Sequence, residues 1–226
     1  MKPLQQTRAV LVALAALLAL VLATSLLPAE DLDVLLSEEG PVETATALLY
    51  FAAVGWFAFR LRRRLVALWH WPVIFLAMGC RELDFHTRFT TINCTKLRFF
   101  TGDKPPLHEK LLVALVFAGI ALAVFRAARA HLPALLRAWR TSRRLPNPAA
   151  LAAVALVGWS LAADKLPHLL KALGVTHESW LSRFFHSAEE AGELGIPVLI
   201  LLAIAAAAPE REPPPAGADG NGHASP

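Results

Sequence analysis

Apolar positions in this chain come in long unbroken runs, with polar positions gathered at the ends of those runs. Six segments approach the ~20 mostly apolar residues that a membrane-crossing helix needs. They lie at 8–27, 41–59, 65–86, 109–126, 148–165 and 189–208. A soluble domain would instead show apolar and polar positions alternating at helical or strand period. Ala and Leu dominate and aromatics make up only 8%, which suits helices and not a membrane β-barrel. The pattern predicts an all-α polytopic membrane protein, a bundle of six transmembrane helices. Residues 1–208 form one domain in this scheme. The segment 209–226, rich in Pro, Gly and Ala, reads as a disordered cytoplasmic tail.

Composition agrees. Of 226 residues, 56% are apolar, and the mean hydropathy is +0.48. The formal net charge of +4 does not point to nucleic acid, because the basic residues sit at helix ends and act as topology signals. The chain shows no internal repeat and no Gly-rich phosphate loop.

Orientation follows from Lys and Arg. Lys2 precedes the first segment and Arg8 opens it. Arg60, Arg62, Arg63 and Arg64 follow the second, and Arg126, Arg129, Arg137, Arg140, Arg143 and Arg144 follow the fourth. Neither of these loops contains an acid, so the positive-inside rule places both termini in the cytoplasm of a bacterial-type inner membrane. Arg81, Arg88, Lys96, Arg98, Lys104 and Lys110 run against this assignment but do not outweigh it. The first segment could be a signal peptide. Its apolar stretch is long for one, and Leu27-Pro28-Ala29 makes a poor cleavage site, which favours a retained helix.

The inner loop after the fourth segment has its own period. Leu132, Leu135, Leu136 and Trp139 fall at i, i+3, i+4 and i+7 among arginines. Residues 132–144 read as a basic amphipathic helix suited to anionic inner-leaflet lipids, or as an ordinary positive-inside linker. Cys80 and Cys94 are the only cysteines. An oxidising outer compartment permits a bridge between them, although two free thiols fit the sequence equally well. With no Cys-x-x-Cys, thiol–disulfide catalysis is not expected.

The acids carry the functional signal. In this orientation all 18 carboxylates except Glu210, Glu212 and Asp219 fall on the outer side. Ionisable groups beside hydrocarbon are costly unless paired, hydrated or metal-bound, so such clusters are candidate sites. Glu38, Glu39 and Glu43 open the second segment around Pro41. Capping of the helix start explains Glu38 and Glu39 better than Glu43. In the third segment Glu82 and His86 fall at i, i+4, a spacing that suits a shared metal or a local pair, with Asp84 between them. In the last segment His186, Glu189, Glu190 and Glu193 occupy one helical stripe. Three carboxylates on one stripe repel unless protons or a cation intervene. An exposed acidic first turn is the plainer alternative. Asp164 and His168 form a further i, i+4 pair, which Pro167 threatens to break and which Lys165 offers to neutralise. His70, between Trp69 and Trp71, reads as an interfacial anchor.

Glu39-Gly40-Pro41-Val42-Glu43, Arg81-Glu82-Leu83-Asp84-Phe85-His86 and Glu189-Glu190-Ala191-Gly192-Glu193 resemble the Glu-Gly-x-x-Glu and Glu-Glu-x-x-Glu helix-start motifs of a group of bacterial multi-pass inner-membrane proteins without assigned function. The resemblance implies a shared outer-face site and no known activity. The ceramidase-like hydrolases differ, because their late His-x-x-x-His pair is replaced here by His186 and Glu190. The Glu-Glu-x-x-x-Arg of intramembrane prenyl-protein proteases is absent.

These patterns predict a cation- or metal-binding site at the outer end of the bundle. Its residues would be Glu39, Glu43, Glu82, His86, His186, Glu190 and Glu193, with Asp84, Asp164 and His168 in reserve. Its occupant would be a divalent metal such as zinc, manganese or iron. The alternatives are a metal-dependent hydrolase or transferase acting on a lipid or lipid-linked substrate, and a proton- or cation-coupled transporter. Whether the chain is an enzyme is left open.

Overall fold

Local chemistry sets several helix boundaries. Pro41 and Pro148 each open a helix, where a missing N–H costs nothing. Asn147 caps the second of these by accepting the Ala150 N–H at 3.1 Å. The computed structural model describes residues 3–37, 40–140, 147–174 and 179–207. In order the helices are α1 (Pro3–Ser25), α2 (Ala29–Leu36), α3 (Pro41–Arg60), α4 (His70–Glu82), α5 (Phe85–Arg88), α6 (Leu97–Thr101), α7 (Leu107–Arg140), α8 (Pro148–Ala172) and α9 (Ser179–Ala206). A 3-10 turn at Arg62–Arg64 follows α3. Among the described residues there is no strand.

The all-helical expectation holds. Four stretches are long and apolar enough to cross a membrane: Leu4–Ser25, Glu30–Arg60, Leu107–Arg137 and Pro148–Ala172. The other two expected segments differ from simple spans. Residues 65–86 are not one helix. Turns occupy 65–69, and α4 has only 13 residues, about 20 Å of helix against a ~30 Å hydrocarbon core. α9 has 28 residues, but three carboxylates interrupt its apolar run.

Other boundaries also need correction. α7 continues through Pro133 to Arg140, so the expected amphipathic segment 132–144 begins as an extension of α7. Residues 141–146 lie outside the described residues, as does the expected tail 209–226. Pro167 does not end α8, which runs to Ala172. α9 starts at Ser179, ten positions before Glu189, so the acidic stripe lies in the body of the helix and not in its first turn.

α9 is the central helix. It packs against α1, α3 and α8, while α4 joins α3 to α7. Gly195 permits the closest approach: a Cβ there would lie 2.4 Å from Leu17 Cδ1 and 2.5 Å from Leu156 Cδ2. Tyr50, Ala53, Phe57, Phe75, Ile196 and Ile204 form the main apolar core between α3, α4 and α9. At the far end Asn147 ties three helices together. Its side chain accepts from Gln6 of α1, and its amide donates to the Ala203 carbonyl of α9 at 3.1 Å. The α4–α7 connection is ordered against the start of α7. Glu109 accepts from the Thr91 N–H at 3.0 Å, Lys110 donates to the Gly102 carbonyl at 2.7 Å, and Cys94 packs with Phe99 and Val113.

Candidate functional site

Three helices deliver carboxylates to one end of the bundle. α3 brings Glu43 from its first turn, α4 ends on Glu82, and α9 brings Glu190 and Glu193 from its middle. Glu82 feels the charges of Glu193, Arg81, Glu43 and Asp84. Glu190 feels those of Glu193, Glu189, Glu82 and Glu43. Glu43, Glu82, Glu190 and Glu193 therefore lie within electrostatic reach of one another.

One cation organises them. Arg81 Nη2 donates to Glu193 Oε1 at 2.9 Å, and Arg81 Nη1 stands 3.9 Å from Glu82 Oε1. Ser160 of α8 lies 3.5 Å from the same Glu193 oxygen. Glu82 is 6% exposed, and its Oε1 has no hydrogen-bond partner among the described residues. Tyr50, 1% exposed, lies beneath, within the field of Glu82, Glu193 and Arg81. A buried carboxylate without a donor is costly unless a proton or cation satisfies it.

The acidic stripe divides between neighbours. Glu189 lies in the field of Asp164 and Lys165 of α8 as well as that of Glu193 and Arg81, whereas Glu190 lies in the field of Glu43 and Glu82 of α3 and α4 as well as that of its own helix neighbours. Asp164 pairs with Lys165, the neutral arrangement that the sequence already allowed. The His168 side chain and all of Glu39 lie outside the described residues. His186 is partly buried and makes no hydrogen bond or ion pair with the described residues.

Two pairings that the sequence allowed do not form. Glu82 and His86 do not share a helical face, because α4 ends at Glu82 and Asp84 adopts a left-handed conformation with φ 52°. Asp is among the few residues that visit this region readily. The reversal turns His86 back onto Asp84, with Nδ1 3.6 Å from Oδ1. The Cys80–Cys94 bridge is also absent. Both are free thiols, Cys80 half-buried on α4 and Cys94 buried in the α4–α7 connection.

The sequence pattern gave no sign of the central role of Arg81, nor of Tyr50, the sole tyrosine, and Ser160 as neighbours, since no local spacing links them to the acids. It also misread His70. Far from an interfacial anchor, His70 is 3% exposed and neither ring nitrogen has a partner among the described residues. It packs 5.7 Å from the ring of His131 on α7, whose Nε2 accepts from Trp71 at 3.3 Å.

Among the described residues no three His, Cys, Asp or Glu side chains come close enough to hold one metal ion directly. No protein-family model matches the chain, and neither curated proteins nor solved structures include a match.

Proposed function

We propose that the chain is a multi-pass protein of a bacterial-type inner membrane that binds a cation in the carboxylate cluster at the outer end of its bundle. In this reading α4 with its preceding turns, and α9, complete six passes. Both termini are cytoplasmic, and the basic end of α7 meets anionic inner-leaflet lipid. The observation that carries it is charge imbalance: Glu82, Glu190 and Glu193 lie in one another's fields, and Arg81 pairs with Glu193 and stands beside Glu82. One guanidinium cannot neutralise three carboxylates at the edge of hydrocarbon, so added positive charge stabilises the cluster.

The spacing favours a cation that keeps part of its water shell. Zinc takes four ligands directly at about 2.0–2.3 Å, whereas magnesium retains several waters and needs only one or two carboxylates. Zinc, manganese and iron remain candidates to be tested beside magnesium and calcium. Transport is less favoured. Below Tyr50 the core is closed by Ala53, Phe57, Phe75, Ile196 and Ile204, which offer no polar path onward. A lipid hydrolase would need a metal with an open position and a separate base, and nothing in the cluster singles out such a base.

Calorimetric titration of the purified protein with each cation, alongside elemental analysis, tests the proposal. Wild type should bind saturably, and a Glu82→Gln/Glu190→Gln double variant should not. A folded wild type that binds none of these cations would replace the proposal with a protonated, structural cluster.

A further inference from the structure

A second feature lies at the opposite end of α4. His70 opens that helix and Glu82 closes it, so the two stand about 18 Å apart at ~1.5 Å of rise per residue. The rings of His70, Trp71 and His131 form a triangle there. His70 lies 5.7 Å from His131 and 5.5 Å from Trp71, and Trp71 lies 5.4 Å from His131. Trp69 packs against His70, and Phe75 packs against Trp71.

This triangle leaves His70 unsatisfied. Both of its ring nitrogens are buried without a hydrogen-bond partner among the described residues, although a neutral imidazole has one donor and one acceptor to place. Burying such groups bare is costly. His131 lies on α7 and is exposed. Its Nε2 accepts from Trp71 Nε1 at a long 3.3 Å. The charged groups whose fields reach His70 are His131 and Arg126, and neither is a carboxylate.

These donors select an occupant by type. Magnesium and calcium require oxygen ligands, whereas imidazole nitrogen suits zinc, nickel and copper. Zinc sites draw three or four ligands from the protein, and only two are offered here. Copper(II) stands highest in affinity for nitrogen ligands among the divalent first-row ions, so it is the ion that two imidazoles hold best. Metal–nitrogen bonds of about 2.0–2.1 Å place the centres of two imidazoles on one ion about 5–6 Å apart, and the spacing of His70 and His131 falls in that range. The exposed side of His131 admits water to the remaining positions. Arg126 keeps out ions that are held by charge alone.

We propose that His70 and His131 bind a copper ion between α4 and α7, with Trp71 giving up its long hydrogen bond to the metal. The site is independent of the carboxylate cluster, which lies at the other end of α4 and offers oxygen instead of nitrogen.

Titration of the purified, detergent-solubilised protein with copper(II), read by electron paramagnetic resonance, tests the proposal. Wild type should bind one copper ion with the couplings of two imidazole nitrogens. His131→Gln alters an exposed side chain and should leave the fold intact. It should weaken binding at least about tenfold, since removing even a ligand's supporting partner costs about 10–100-fold. His70→Phe should do the same. Trp71→Phe, which removes the competing donor, should keep the nitrogen couplings. His108→Gln, an exposed histidine at the start of α7, should change nothing. A wild-type spectrum without nitrogen couplings would overturn the proposal. So would a His131→Gln variant that binds copper as wild type does, or a His108→Gln loss as large as that of His131→Gln. The nitrogen-coupled signal should survive Glu82→Gln/Glu190→Gln, so failure of the carboxylate proposal leaves this result readable.

Discussion

Arg81 at the end of α4 and Glu193 in the middle of α9 meet at 2.9 Å, across 112 residues of sequence. This contact joins the α3–α4–α7 side of the bundle to the α1–α8–α9 side at the level of the carboxylate cluster. Arg81 is 56% exposed and Glu193 is 16% exposed, so one partner keeps water while the other depends on the pair.

Removing the arginine should therefore cost more than removing both charges. Arg81→Gln is expected to destabilise the protein by about 1.5–3 kcal/mol, the range for hydrogen bonds to charged groups. The Arg81→Gln/Glu193→Gln double variant should recover part of that loss, because no unpaired carboxylate remains. Reversible unfolding in mixed micelles measures both. Additive losses would mean that the pair is not coupled.

Glu82 lacks a donor for Oε1 and lies among other acids. Glu82→Gln should leave the protein as stable as wild type, or more stable by on the order of 1 kcal/mol, while weakening cation binding. Glu43→Gln and Glu193→Gln should impair binding more than Glu30→Gln, because Glu30 is exposed on α2. Equal effects at all of these positions in the calorimetric titration would show that the cluster is not the binding site.

Asn147 should prove a structural keystone at the opposite end. Asn147→Ala removes the α8 cap and the ties to Gln6 and Ala203. Cap loss alone costs about 0.5–2 kcal/mol, and the buried Gln6 amide loses a partner as well. Denaturant midpoints should fall, whereas cation binding by the folded fraction should not change.

Cys94 should react slowly with thiol reagents. It is buried, and burial pushes its thiol pKa up. The thiolate is the reactive form, so labelling should accelerate only as pH rises beyond the ordinary thiol range. Cys80 and Cys94 should both label after unfolding without reductant. A protected pair that labels only after reduction would contradict the free thiols.

The apolar runs by themselves determined that the chain is helical and suited to a membrane, because burying ~20 apolar residues against hydrocarbon is a property of each segment alone. They also placed Glu43, Glu82, Glu190 and Glu193 at a common depth. Tertiary structure decided which of these meet. Glu189 and Glu190 are adjacent in sequence, yet Glu189 lies in the field of Asp164 and Lys165 on α8 and Glu190 in that of Glu43 and Glu82, since ~100° of helical rotation sends neighbours toward different helices. His86 was lost from the cluster by a single left-handed residue, Asp84, which helical spacing could not anticipate. Arg81 and Ser160 acquired their roles only through packing across more than 30 residues of separation, because their partners are set by the arrangement of helices around α9 and not by local pattern.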